Sequence, residues 1–202
     1  INTVEIGVHI ANVAQVISQL DTNFYSTIYL KERQINMLDD DITYNYCSLG
    51  HGVYRQALSL ILIYKDHKLI SQQFKETIVK NQAITYQQCD KIIHGIDSHP
   101  LLDLYQFTKK LSSEILSATK IVEYYMVLYN SCLAKQLYQH NPNSILRTHS
   151  ILHHSFDTSD IELKDYLHKM NQEASQYVSN PENTYHQDLG LQYYTHATSP
   201  IR

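Results

Sequence analysis

Near the start of the chain apolar residues occupy every second position, with Val4, Ile6, Val8 and Ile10 alternating with Glu5, Gly7 and His9. A period of two places such residues on one face of a half-buried β-strand. Val13, Val16, Ile17 and Leu20 then recur at three and four residues, the spacing of a short amphipathic helix. The stretch Ala57 to Tyr64 is rich in apolar residues and reads as a buried strand. Asp66-His67 can turn it into a second strand over Leu69 to Val79. Further on the period becomes helical. Thr85, with Gln88 three residues later, has the form of a capping box for a helix reaching about Ile93. Pro100, at a first helical position, opens a longer helix with Leu101, Leu104, Tyr105, Leu111 and Ile115 inward. The clearest helix is expected over Lys120 to Gln139, with Val122, Tyr125, Met126, Tyr129, Leu133 and Leu137 on its apolar side, and Asn141-Pro142-Asn143 ending it. Glu123, Val127, Asn130 and Ala134 form a neighbouring stripe, which sets Glu123 and Asn130 on one face. A last helix is expected from Ser159, with Glu162 in capping-box position and Leu163, Leu167, Met170 and Ala174 inward. Strands early and helices late predict an α+β fold, a mixed or antiparallel sheet with helices packed around it.

Composition narrows the picture modestly. A chain of 202 residues suffices for one domain with a proper core, and 1–202 is read as a single truncated domain. Its opening on Ile1, in mid-strand, and its close on Arg202, directly after Ser199-Pro200-Ile201, suggest an excerpt. The net charge of −4 argues against nucleic-acid binding through a broad basic surface, but leaves room for a narrow channel or for separate basic modules. Tyr is abundant, at 17 against four Phe and no Trp, and most of these rings are expected to pack with a polar tip outward. Cys47, Cys89 and Cys132 are too few and too scattered for a disulfide framework, which suggests reduced thiols in a cytoplasmic or otherwise intracellular setting. No apolar run reaches the length of a membrane span, so no membrane partner is expected, and no signal peptide is visible.

Three stretches carry chemistry-bearing side chains. Tyr194-Thr195-His196-Ala197-Thr198-Ser199-Pro200-Ile201-Arg202 sets hydroxyls and backbone donors in a turn beside an Arg that can fork two phosphate oxygens. Taken alone, the same stretch is also a proline turn with a solvated Arg. Asp39-Asp40-Asp41 offers carboxylates for a cation, but three successive side chains cannot all converge on one ion, and a solvated turn is the better reading. His149, His153 and His154 have helix-like metal spacing; with no cysteine or carboxylate nearby, a zinc site is disfavoured.

Several blocks, in order along the chain, resemble those of the ribonuclease II or RNB-domain exoribonucleases. Glu5-Ile6-Gly7-Val8-His9-Ile10-Ala11-Asn12-Val13-Ala14-Gln15-Val16-Ile17 resembles the family's G-V-H-I-A-D-V. Tyr29-Leu30, Ile35-Asn36-Met37-Leu38, Cys47-Ser48-Leu49 and Arg55 resemble its YL…IPMLP…LCSL…R. Ile84-Thr85-Tyr86 is similar to L-T-Y, Ile121-Val122-Glu123 with Met126 and Asn130 to I-V-E-E-x-M-x-x-A-N, and Leu146-Arg147-Thr148-His149 to L-Y-R-x-H. The stretch ending in Arg202 resembles Y-x-H-F-T-S-P-I-R-R-Y, with Ala197 for the Phe. Among the departures, Asn12 stands for an Asp, Asp39 for a Pro and Tyr124 for the second Glu. The segment from Leu111 to Ile121 is shortened and offers no Phe for the second half of an aromatic base clamp.

The resemblance implies a metal-dependent 3′-to-5′ exoribonuclease that releases nucleoside monophosphates from single-stranded RNA, with Mg²⁺ as cofactor. The family's Asp-x-Asp-Asp cluster would lie before residue 1, so no metal ligand is expected within this chain, and the fragment alone is expected to be inactive. Arg202 matches the arginine that grips the phosphate and is the catalytic candidate. Tyr29 matches a base-stacking tyrosine; Tyr86 and Glu123 match positions that read the ribose; Ser199 would shape the loop presenting Arg202. Flanking OB-fold modules are expected in the parent protein. The alternative is an RNB-like domain without catalysis that binds or scaffolds RNA, kept open by Asn12 and the short middle segment; a generic globular interaction domain comes last.

Overall fold

The computed structural model describes residues 3–17, 27–149, 160–170, 175–179, 184–199 and 201. The chain divides into two compact units, Ile1–Val127 with Thr198–Arg202, and Leu128–Ala197. In chain order the elements of the first are β1 (Thr3–Ala11), α1 (Ala14–Ile17), β2 (Ile28–Tyr29), β3 (Gln34–Ile35), α2 (Asp40–Asn45), β4 (Tyr54–Lys65), β5 (Lys68–Lys80), α3 (Tyr86–Ile93), α4 (Pro100–Leu111) and the beginning of α5 (Ala118–His140).

The alternation of the first strand does what its period demands. β1 pairs antiparallel with β4 from Thr3↔Lys65 to Ala11↔Ala57, and β4 pairs antiparallel with β5, giving a sheet in the order β1-β4-β5. Ile6, Leu60, Leu62 and Tyr64 share one face and are buried. Fully burying a leucine such as Leu60 or Leu62 stabilises by about 1.5–3 kcal/mol. The β4–β5 turn is made by Asp66 and His67, both at positive φ (49° and 65°), the backbone form whose twist suits a two-residue hairpin. Asp and His are among the few non-glycine residues that enter this region readily, which is why the hairpin forms without a glycine.

Helices cover the buried face. Phe107 of α4 lies edge-on to Tyr64, with centroids 5.2 Å apart, and stacks on His67. The expected capping box opens α3, with Thr85 accepting from the Gln88 amide and Gln88 from the Thr85 amide. Asp90 of α3 accepts the Ala118 amide at 2.7 Å, taking up one of the unpaired donors at the start of α5. Thr108 is wholly buried within α4 and bonds the Tyr125 hydroxyl at 2.9 Å; burial pushes the Tyr125 phenol up to about 12. A separate apolar cluster of Val13, Leu38 and Cys47, with Ala11, Met37, Ile42 and Ile201 packed on it, anchors the loops beside the end of β1.

The second unit contains the remainder of α5, β6 (Leu146–Thr148), α6 (Ile161–Met170), β7 (Gln176–Val178) and a 3-10 turn over Gln187–Leu189. β6 and β7 pair antiparallel from Leu146↔Val178 to Thr148↔Gln176. Tyr129, Ala134, Leu146 and Tyr194 are buried here beside the polar Asn130, His149, Thr184 and His186.

The α+β expectation holds, with the strands of the main sheet antiparallel. Two details differ. On α5, Ile121 and Tyr125 are the inward positions in the first unit and Tyr129, Asn130 and Ala134 in the second, so Val122 and Leu137, expected inward, are exposed. A stripe drawn through apolar residues alone misses a buried Asn whose hydrogen bonds are satisfied. In α6, Leu163 is exposed rather than inward, and Asp160 caps the helix by accepting the Leu163 amide at 3.1 Å. The expected start at Ser159 and the position of Ala174 lie outside the described residues. Among the described residues no helix is long and apolar enough to cross a membrane.

Candidate nucleic-acid interface

A cavity of about 460 Å³ opens in the first unit where the end of β1 meets the loops around β2, β3 and α2 and the last residues of the chain. His9, Ile10 and Ala11 come from β1, Tyr29 from β2, Gln34 and Asn36 from β3 and its exit, and Thr43, Cys47 and Ser48 from α2 and its exit; Thr27, Leu49, Thr198, Ser199 and Ile201 complete the wall. Among the described lining residues none is Lys, Arg, Asp or Glu. The wall is therefore one of hydroxyls, amides and rings, suited to bases, sugars and hydrogen-bonded phosphate oxygens.

Local hydrogen bonds hold this wall in place. Tyr29 and Gln34 face one another across the β2–β3 pair, and the Leu30 amide donates to the Arg33 carbonyl to close the turn. Gln34 Nε2 donates to Asn36 Oδ1 at 2.6 Å, and Asn36 Nδ2 donates to the Asp40 carboxylate at 2.7 Å. Because a carboxylate only accepts, Asp40 fixes the orientation of both amides in the chain. Thr27 ties the loop to the end of the chain, donating to the Ile201 carbonyl at 3.2 Å and accepting the Met37 amide at 3.3 Å. Burial pushes the Cys47 thiol up, which makes it an inert packing residue.

His9 is the unexpected member of the wall. Its Nδ1 lies 2.6 Å from the Ser59 hydroxyl, which lies 2.6 Å from that of Thr77. Desolvation holds the imidazole below its ordinary value. A Cβ on Gly7 would come within 2.6 Å of Nε2, so the ring lies over the glycine. The sequence did carry a signal for this residue, a polar outward position within an apolar-in alternation. Asn36 stood in a block that resembles the family's, whereas Thr27 and Gln34 carried no signal of their own.

Of the residues proposed from the sequence, Tyr29 and Ser199 line the cavity together although 170 positions separate them. Tyr29 is half exposed. Tyr86 and Glu123 do not line it. Tyr86 is the exposed first residue of α3, and Glu123 is an exposed residue of α5 that pairs with Lys120 at 2.8 Å. Arg202 lies outside the described residues.

In the second unit the motif residues bind one another. Asn130 Nδ2 donates to the Tyr194 hydroxyl at 3.2 Å, and Asn130 Oδ1 accepts the Ala197 amide at 2.9 Å. Arg147 donates to His196 Nδ1 at 2.9 Å and lies over the Tyr177 ring. His149 stacks on His186 with centroids 5.3 Å apart, and both are buried. His153 and His154, the other two of the triplet considered for zinc, lie outside the described residues.

Among the described residues no group of three or more His, Cys, Asp or Glu side chains is arranged to hold a metal ion. Asp40 and Asp41, in the exposed first turn of α2, instead accept amides from Asn36 at 2.7 Å and Asn45 at 2.6 Å. The described residues therefore do not fit the implied Mg²⁺.

Known proteins resemble the chain in both sequence and fold. Ribonuclease R 2 of Lactococcus lactis is 22% identical over 279 residues, covering 98% of this chain and 42% of that protein. In a structure of Mycoplasma genitalium RNase R in complex with ribose methylated single-stranded RNA, 44% of the chain superposes on 98% of this one, with a TM-score of 0.72 at 15% identity. Yeast Ssd1, described as a pseudonuclease, matches 99% of this chain with 34% of its own, with a TM-score of 0.77 at 14% identity. The chain thus spans less than half the length of each of these three relatives. The RNB domain family profile matches residues 1–116 and 106–202, so together the two matches run from end to end, and the chain belongs to the RNB domain family.

Proposed function

We propose that this chain is part of the catalytic domain of a 3′-to-5′ exoribonuclease that degrades single-stranded RNA to nucleoside monophosphates, and that the cavity in its first unit receives the strand. The observation that carries the reading is the meeting of Tyr29 and Ser199 in one neutral, polar cavity, with Thr27 linking their two segments. Membership of the RNB domain family, and the sequence likeness to a Ribonuclease R over nearly the whole chain, support it.

In this reading Tyr29 stacks on a base, a contact that tolerates any sequence. Ser199 shapes the loop that carries Arg202. The guanidinium of Arg202 forks the scissile phosphate as negative charge spreads over its oxygens. Glu123 and Tyr86 engage a 2′-hydroxyl and so favour RNA over DNA. This chain's own residues bind and orient the strand.

A second reading, an RNB-like domain that binds RNA without cutting it, is favoured by the fold likeness to a pseudonuclease at a TM-score of 0.77. One experiment separates the two. The full-length parent protein is incubated with Mg²⁺ and an RNA bearing a single-stranded 3′ end. Steady release of nucleoside monophosphates supports the nuclease, binding without release supports the module, and absence of both sinks the proposal.

A further inference from the structure

The His9–Ser59 pair has the outline of a nucleophilic dyad, but Ser59 is fully buried and its hydroxyl is already bonded to Thr77, so no substrate atom can reach it. The pair does something else: it fixes one edge of the imidazole. Two hydroxyls in series, Thr77 and Ser59, can point their protons either way. Nδ1 is therefore satisfied whether it accepts, leaving Nε2 as a donor, or donates, as in the imidazolium. Among the described residues Nε2 itself has no hydrogen-bond partner. The glycine beneath it leaves room for the ring to lie where it does; any side chain at position 7 would occupy that space.

The cavity supplies the second half of the argument. Among the described residues that line it, His9 is the one side chain able to carry a positive charge, in a wall otherwise made of neutral hydroxyls, amides and apolar groups. A polyanion entering such a cavity meets one side chain whose N–H can also carry a positive charge. We infer that His9, buttressed by Ser59 and Thr77 and laid over Gly7, is a further binding residue of this cavity, donating from Nε2 to a phosphate oxygen of the bound strand. The inference rests on the reading of the cavity as the site that receives RNA.

The experiment uses the full-length parent protein and a single-stranded RNA oligonucleotide, with affinity measured by fluorescence anisotropy and folding by the thermal midpoint. His9→Asn keeps an amide near the Nδ1 position for Ser59 but removes the Nε2 donor, and should weaken binding about tenfold, the scale of one hydrogen bond to a charged group. His9→Gln, whose amide reaches the Nε2 position, should recover most of that loss. Gly7→Ala should match His9→Asn with little change in thermal midpoint, because a flexible ring rather than the backbone must give way. An oligonucleotide whose 3′-terminal linkages are uncharged methylphosphonates should bind wild type and His9→Asn alike. Wild-type affinity in His9→Asn, or Gln no better than Asn, overturns the inference. Tyr29→Ala provides the control: if it weakens binding while His9→Asn does not, only the role of His9 is lost. If Tyr29→Ala also leaves affinity unchanged, the reading of the cavity fails, and His9 with it.

Discussion

The two units use polar residues from their motifs in opposite ways. In the first, His9, Tyr29, Gln34, Asn36 and Ser199 surround open space and sit on strand ends and loops. In the second, Asn130 bonds Tyr194 and the Ala197 amide, Arg147 bonds His196, and His149 stacks on His186, while Arg147 Nε and the Nδ1 atoms of His149 and His186 find no hydrogen-bond partner among the described residues. Polar groups taken out of water must find partners, so Asn130 does the work of a fastener, holding Tyr194 and the Ala197 amide to a helix. Polar groups around a cavity keep donors and acceptors for a visitor. A motif residue is thus not a functional residue by virtue of its motif; its burial and its partners decide which it is.

The contrast makes its largest prediction at Asn130. Asn130→Ala removes the hydrogen bonds to Tyr194 and Ala197 in a buried site and strands the groups at their other ends, at about 1–3 kcal/mol for each orphaned group. A loss of about 3 kcal/mol in unfolding free energy is expected, with RNA affinity of the folded protein unchanged. Denaturant titration alongside RNA binding checks this. A variant of normal stability but poor RNA binding would reverse the division of labour between the units.

Tyr29→Ala is the mirror case. The ring is half exposed on a two-residue strand, so stability should not move, while loss of base stacking should weaken RNA binding by about 1–3 kcal/mol. Tyr29→Phe should bind like the parent, since the face of the ring makes the contact. If phenylalanine fails as badly as alanine, the hydroxyl rather than the stack is what matters.

How far the sequence revealed all this follows the same line. Period-two alternation and the Thr85–Gln88 cap are local signals, and the strands and α3 appear where those signals put them. The Asp66-His67 turn was legible because it joins two apolar runs, although only the backbone shows both residues at positive φ. Tyr29 and Ser199 were each marked by a motif, but nothing local announces that Thr27 bonds the Ile201 carbonyl and draws their segments to one cavity. The inward face of α5 was misdrawn for a similar reason. Burial of Asn130 depends on Tyr194 and Ala197, more than sixty residues away, and no helical period encodes that.

A smaller effect follows from acid. Burial, and after it the neighbouring His149, hold the His186 imidazole below its ordinary value, with Arg147 adding to this and Asp188 opposing it. The unfolded chain, titrating near 6.5, then binds a proton that the folded one resists. The stabilising contribution is complete above about pH 6.5 and is lost as pH falls through the folded value. Denaturant midpoints between pH 7.5 and pH 5 should therefore decline, and His186→Phe, which keeps a ring against His149 and Tyr194 but cannot be protonated, should decline less steeply. Parallel declines in the two proteins would remove His186 from the account.

Glu123 tests the contrast where it is weakest, because it belongs to a motif yet neither lines the cavity nor is buried. Its partner, Lys120, is a neighbour on the same helix, and exposed pairs of this kind contribute little to stability. Glu123→Ala should leave the unfolding midpoint unchanged. If the carboxylate reads a 2′-hydroxyl, the variant should lose a few-fold in preference for an RNA over a DNA 3′ end, the scale of one net hydrogen bond. Competition between matched RNA and DNA oligonucleotides measures it. An unchanged preference would make Glu123 a solvated helix residue, and would leave the first unit's contribution to recognition with the cavity wall alone.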